Sequence, residues 1–166
     1  TTASYVTALG GNALKANTTG SGNTAVGTNA MESNTTGASN TVMGWNALVT
    51  NTTGSNNLAM GVNTMFYNTT GYKNVALGDY GLWANTEGME NVAISGNGSL
   101  YKNTTGSQNI AIGAASLYNN ETGNYNIAIG RSSLYSNTAS NNVGIGHESL
   151  KSNTTGTDNV GVGYKA

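Results

Sequence analysis

The stretch Ser99–Gly113, SLYKNTTGSQNIAIG, ends in Asn109-Ile110-Ala111-Ile112-Gly113, and those five residues decide the fold. Large and small side chains alternate over three positions, and a Gly follows. A period of two marks a strand with two unlike faces. Gly then allows a bend that a Cβ would resist. Upstream, Asn103-Thr104-Thr105-Gly106 carries turn chemistry, because Asn and Gly tolerate left-handed backbone and Asn and Thr bond nearby backbone groups.

The phrase returns along the whole chain. Its opening Asn recurs at Asn23, Asn40, Asn57, Asn74 and Asn91, a spacing of seventeen. It continues at Asn109, Asn126, Asn142 and Asn159, in steps of eighteen, seventeen, sixteen and seventeen, and Val6 holds the equivalent place in the first unit. The residue gained lies in Ser95–Ser99 (SGNGS), and the residue lost in Asn137–Asn141 (NTASN). Counting the Asn as place 1, the second and fourth places are mostly Val, Ile, Leu or Met, with Thr in three early units at place 2. Place 3 is small almost throughout, as at Ala8, Ala25, Ala76, Ala128 and Gly161. The alternation predicts that the large face is core and that the small face admits another surface, that of a neighbouring chain. A second apolar column, Leu14, Met31, Leu48, Met65, Leu82, Leu100, Leu117, Leu134 and Leu150, predicts a second short strand before the Asn-Thr-Thr-Gly turn.

Seventeen residues are too few for a βαβ unit, which needs roughly thirty. The expected fold is all-β: a parallel β-roll or β-solenoid of about ten coils with a 17-residue period, a single repeat domain over residues 1–166. One coil buries too little to stand alone, so each needs neighbours on both sides. The chain does not begin with Met and reads as a piece of a longer or processed polypeptide.

Composition narrows the function. The net charge is -1 with only 8% charged residues, so no basic field exists for nucleic acid or anionic lipid. There is no Cys, hence no disulfide framework or thiolate metal site. No apolar run approaches the roughly 20 residues of a membrane span. His147 is the sole histidine, and Asp79, Glu87 and Glu90, the nearest approach to an acidic cluster, fall at different places in the unit. No catalytic residue, metal site or cofactor is expected, and the chain does not read as an enzyme.

The candidate binding surface is the column after the second Leu: Lys15, Glu32, Val49, Phe66, Trp83, Tyr101, Tyr118, Tyr135 and Lys151. Charge at both ends predicts that it reaches solvent. Phe66, Trp83, Tyr101, Tyr118 and Tyr135 form an aromatic strip, suited either to stacking on sugar rings or to packing ring on ring. The Asn-Thr-Thr sequons at Asn17, Asn34, Asn51, Asn68, Asn103 and Asn153, with others at Asn97 and Asn120, track the repeat and read as turns rather than glycan acceptors. Paired Thr on successive coils, such as Thr18-Thr19 and Thr35-Thr36, also resembles the ice-binding face of some antifreeze solenoids.

NIAIG, NVALG and NTAVG, each followed by a small residue and Leu or Met, resemble the head repeats of trimeric autotransporter adhesins, the YadA-like heads. They also look like repeat arrays of bacteriophage tail-fibre proteins. The resemblance covers essentially the whole chain. It implies a left-handed parallel β-roll, three chains per fibre and a role in attachment. The adhesin repeat is usually shorter, and the difference is the Asn-Thr-Thr-Gly segment. The resulting expectation is a stiff, multivalent segment of an extracellular fibre on a bacterial surface or phage virion. Its expected partners are further copies of itself, as homotrimer or filament, and a host-surface glycan or matrix protein. A pure filament or spacer without a receptor is the alternative, and an ice-binding solenoid a third reading.

Overall fold

The computed structural model describes residues 2–166. Ten three-residue strands carry the repeat: β1 Thr7–Leu9, β2 Thr24–Val26, β3 Thr41–Met43, β4 Leu58–Met60, β5 Val75–Leu77, β6 Val92–Ile94, β7 Ile110–Ile112, β8 Ile127–Ile129, β9 Val143–Ile145 and β10 Val160–Val162. They pair in chain order as one parallel sheet. Residues at equal places lie over one another, Ile112 on Ile129 and Leu77 on Ile94 among them. The chain is therefore a parallel β-solenoid. The gained and lost residues leave the register intact, since Val92 pairs with Ile110 and Ile127 with Val143.

The two faces of the strands are the reverse of the expectation. Place 3 points inward: Ala25, Val42, Ala59, Ala76, Ala93, Ala111 and Ala128 are fully buried. The large residues at places 2 and 4 point out. Met43 (46% exposed), Met60 (37%), Ile129 (37%) and Ile145 (38%) lie on a surface that no other described residue covers. The reason is width. The opposite wall already sends in the Leu column, and Met31, Leu48, Met65, Leu82, Leu100, Leu117 and Leu134 are fully buried. A Cβ added at Gly144 would sit 2.6 Å from Ser133 Oγ and 3.1 Å from Leu134 Cγ, and no coil holds anything larger than Val42 at this place, so the interior opposite the Leu column is narrow. The small face thus closes the coil's own core and is not a seam to another chain.

The Leu column is not a second strand. It runs through consecutive turns, and its backbone N–H groups alternate between two partners. Ala13, Lys15 and Asn17 donate to carbonyls three residues back, while Leu14, Ala16 and Thr18 donate to Ala30, Glu32 and Thr35 of the next coil. Asn12 and Leu14 take positive φ here, as do their counterparts in the other coils. Leu appears there with φ of 47° to 53°. Such backbone costs roughly 1–3 kcal/mol and persists only where the surroundings over-determine it. Here full burial of the side chain and a hydrogen bond to the next coil do so.

Two buried columns of Asn tie the walls together. Asn34, Asn51, Asn68, Asn85, Asn103 and Asn120 each donate from Nδ2 to the Asn Oδ1 one coil earlier, at 2.7–3.0 Å. Each also donates to the Gly carbonyl three residues on. The place-1 Asn forms the second column, with Asn109 bonded to Asn91 Oδ1 and to Gly123 O. A buried amide without partners costs roughly 1–3 kcal/mol, so the high Asn content is a structural requirement.

Candidate functional site

The outer surface of the turn wall carries the aromatic strip. Trp83, Tyr101, Tyr118 and Tyr135 stack ring on ring, with centroids 4.9, 5.0 and 5.2 Å apart and planes within 10°. Each coil sets its ring one strand spacing above the last. Ring faces therefore turn toward one another, and mostly edges and phenol tips meet solvent. Phe66 does not continue the stack. Tyr67, one residue on, lies edge-on to both Phe66 (68°) and Trp83 (83°), each at 4.8 Å. Burial beside Tyr118, Tyr80 and Tyr67 raises the Tyr101 phenol above the ordinary tyrosine range, burial being the larger cause. At the near end of the same column Lys15 pairs with Glu32 at 3.5 Å, as a solvent-facing column allows.

Place 7 runs alongside this strip. In the early coils it holds an outer amide column, Asn12 to Asn29 to Asn46 to Asn63. Tyr80 then interrupts it, and Asn97 follows on the lengthened coil. Tyr80 lies 6.4 Å from Tyr101 at 49°. Tyr80, Asn97, Gly98, Tyr101 and Tyr118 line an open concavity of about 190 Å³. Tyr80 was not among the residues the sequence singled out, and Asn97 was named only as the start of a sequon. The available signal is that place 7, Asn in four successive coils, becomes Tyr on the coil before the inserted residue.

A larger hollow, about 550 Å³, lies against the last coil between Glu148, Lys151, Asn153, Asn159 and Lys165 and is its uncovered rim. There Glu148 bonds Lys151 Nζ at 2.7 Å. That bond, with the charges of Lys151, His147 and Lys165, lowers the Glu148 carboxyl below its ordinary range against a smaller opposing effect of burial. His147 stacks on Tyr164 at 5.3 Å and touches Arg131 through Nε2. Asp79 caps the Val62 backbone N–H, and Glu90 pairs with Lys73, so these acids serve separate structural contacts. Among the described residues no three metal-ligating side chains come together, and no helix is long and apolar enough to cross a membrane.

The sequon residues Asn34, Asn51, Asn68, Asn103 and Asn120 are fully buried as members of the inner column. No sugar transferase reaches them in the folded chain. The first Thr of each pair is also committed inward along the stack, as Thr35 Oγ1 donates to Thr52 O and Thr69 Oγ1 to Thr86 O. The second Thr, at Thr36, Thr53, Thr70 and Thr105, is exposed on the turn.

No protein-family model matches the chain, and no curated protein or solved structure matches it either. What the fold establishes is the class: a β-solenoid repeat protein.

Proposed function

We propose that the chain is a structural and adhesive segment of an extracellular fibre on a bacterial surface or phage virion. Copies of the chain associate side by side, with a homotrimer as the expected unit. The observation that carries this reading is the outward sheet face. Its Leu, Val, Met and Ile side chains at place 4 form a continuous apolar strip over ten strands, and no other described residue covers it. Soluble monomers rarely leave a contiguous apolar patch of that kind in water. A threefold axis running along the stack would bury every copy's strip at once. The stack then makes a stiff rod, and repeated surface groups let weak contacts add up.

Sedimentation and native mass measurement on the full chain test the assembly. Trimers are expected, and a stable folded monomer at micromolar concentration refutes it. Attachment is a separate measurement. Binding to cells, glycan arrays or matrix proteins is expected, and blanks in all three leave the spacer or filament reading in its place. The repeated exposed Thr on the turns favours ice binding as a further reading, and absence of thermal hysteresis at high concentration removes it.

A further inference from the structure

The inserted residue changes the outer surface of its coil. On the lengthened coil Gly98 occupies the corner with φ of +69°, and a Cβ there would press on the Tyr101 ring at 3.1 Å. The concavity opens at this point, between Tyr80 on the coil before and Tyr118 on the coil after. A single extra residue that re-aims side chains is a recurrent device at binding sites.

We propose that this concavity is a subsite for one neutral sugar ring of a surface glycan, with Tyr80 as its stacking platform. The proposal rests on the attachment reading above and names what the segment would attach to. Three observations carry it. Tyr80 is exposed, and its one aromatic neighbour is tilted at 49°, whereas the Tyr101 ring is covered on both faces by Trp83 and Tyr118. The Asn97 amide is exposed beside it and forms no hydrogen bond among the described residues, unlike the Asn side chains locked in the columns. No charged side chain lines the hollow. A sugar ring presents an apolar C–H face and a rim of hydroxyls. An aromatic face with phenol tips and a free amide offers the matching groups, a donor and an acceptor on one planar fork. Sites of this build, mostly apolar with few placed polar groups, bind by shape and a small number of hydrogen bonds. The absence of a cation in the lining selects a neutral ring over a sialic or uronic acid.

The test uses saturation-transfer NMR on the full chain with methyl β-galactoside, methyl β-glucoside, methyl α-mannoside and methyl N-acetyl-β-glucosaminide. At least one should receive saturation from tyrosine protons. Tyr80→Ala should weaken that ligand roughly three- to tenfold, the worth of one stacked ring. A second variant, Ser95→Gly with Gly98 removed, restores a seventeen-residue coil and closes the hollow, and it should lose the signal while keeping the wild-type circular dichroism. An unchanged signal in both variants overturns the subsite by placing the sugar elsewhere. Silence of all four glycosides towards the wild type also overturns it, and if cells or matrix still bind the chain, the attachment reading survives that loss.

Discussion

The coil from Asn91 to Gln108 has one residue more than seventeen, and the coil from Asn126 to Asn141 one fewer. Both departures coincide with the loss of a repeat glycine. On the long coil Ser95 replaces the Gly that ends the strand. That Gly holds φ between +109° and +141° in every other coil, and a Cβ at Gly113 would lie 2.7 Å from the carbonyl carbon of Gly130. With Ser the chain turns differently and needs one more residue to return. Asn97 and Gly98 then share a single acceptor, the Asp79 carbonyl, at 3.3 Å each. On the short coil Ala139 replaces the Gly of the Asn-Thr-Thr-Gly turn, and the second Thr is gone. Its carbonyl still accepts from Asn126 and Asn137 Nδ2, both at 2.8 Å, but Asn137 no longer donates to Asn120, whose buried Oδ1 is left without a partner. Coil length therefore follows the glycines, while strand register is kept through both changes, even where an amide column breaks.

The largest expected effect tests whether the core ignores the irregularity. Leu117→Ala in a regular coil and Leu100→Ala in the long one should each cost about 2–5 kcal/mol by denaturant titration, because both side chains are fully buried. A much smaller loss at Leu100 would mean that the insertion loosens its coil. Next, Gly113→Ala should cost about 1–3 kcal/mol from backbone strain, with the contact on Gly130 adding to it. Adding one residue after Ala115 should recover part of the loss, imitating the natural pairing of substitution and insertion. If the insertion recovers nothing, length and glycine are not coupled. Tyr118→Ala, which breaks the ring stack beside the irregular coil, should cost about 0.5–1.5 kcal/mol beyond the area lost, and thermal melts would detect it.

The smallest effect is a titration. The Tyr101 phenol is raised in the folded chain, chiefly by burial. A raised folded value means that its contribution to stability is whole below the ordinary tyrosine range and is lost as pH climbs through the folded value. Absorbance titration should show one phenol ionising later than the others, and Tyr101→Phe should remove the lagging step. Ionisation of all the phenols in a single step would contradict that environment.

Much of this architecture is legible in the sequence. Places 2 to 4 become strands in all ten units, and both changes of length fall in turns. Which strand face turns inward is not legible, because alternation shows only that two faces differ. Side-chain size points the wrong way until Leu117 and its column are known to fill the same narrow interior from across the coil. The turn wall was misread for a related reason: nothing in the propensity of Leu foretells left-handed backbone, and only the hydrogen-bond alternation along the stack explains it. Among the surface residues, the place of Trp83, Tyr101, Tyr118 and Tyr135 on the outside follows from the charged ends of their column. Their covered faces do not, since that depends on coil spacing against ring thickness. Tyr80, and Asn97 as more than the start of a sequon, become visible only once two columns are known to be neighbours in space.

The hydrogen bonds along the stack also set the electrical character of the rod. The backbone N–H groups of Leu48 and Leu117 donate forward to the next coil, while those of Asn29, Asn46 and Asn63 donate back to the one before. A helix accumulates about half a charge at each tip as its peptide dipoles align. Here the main-chain donors point both ways along the stack, so lengthening it builds up little main-chain polarity along its axis.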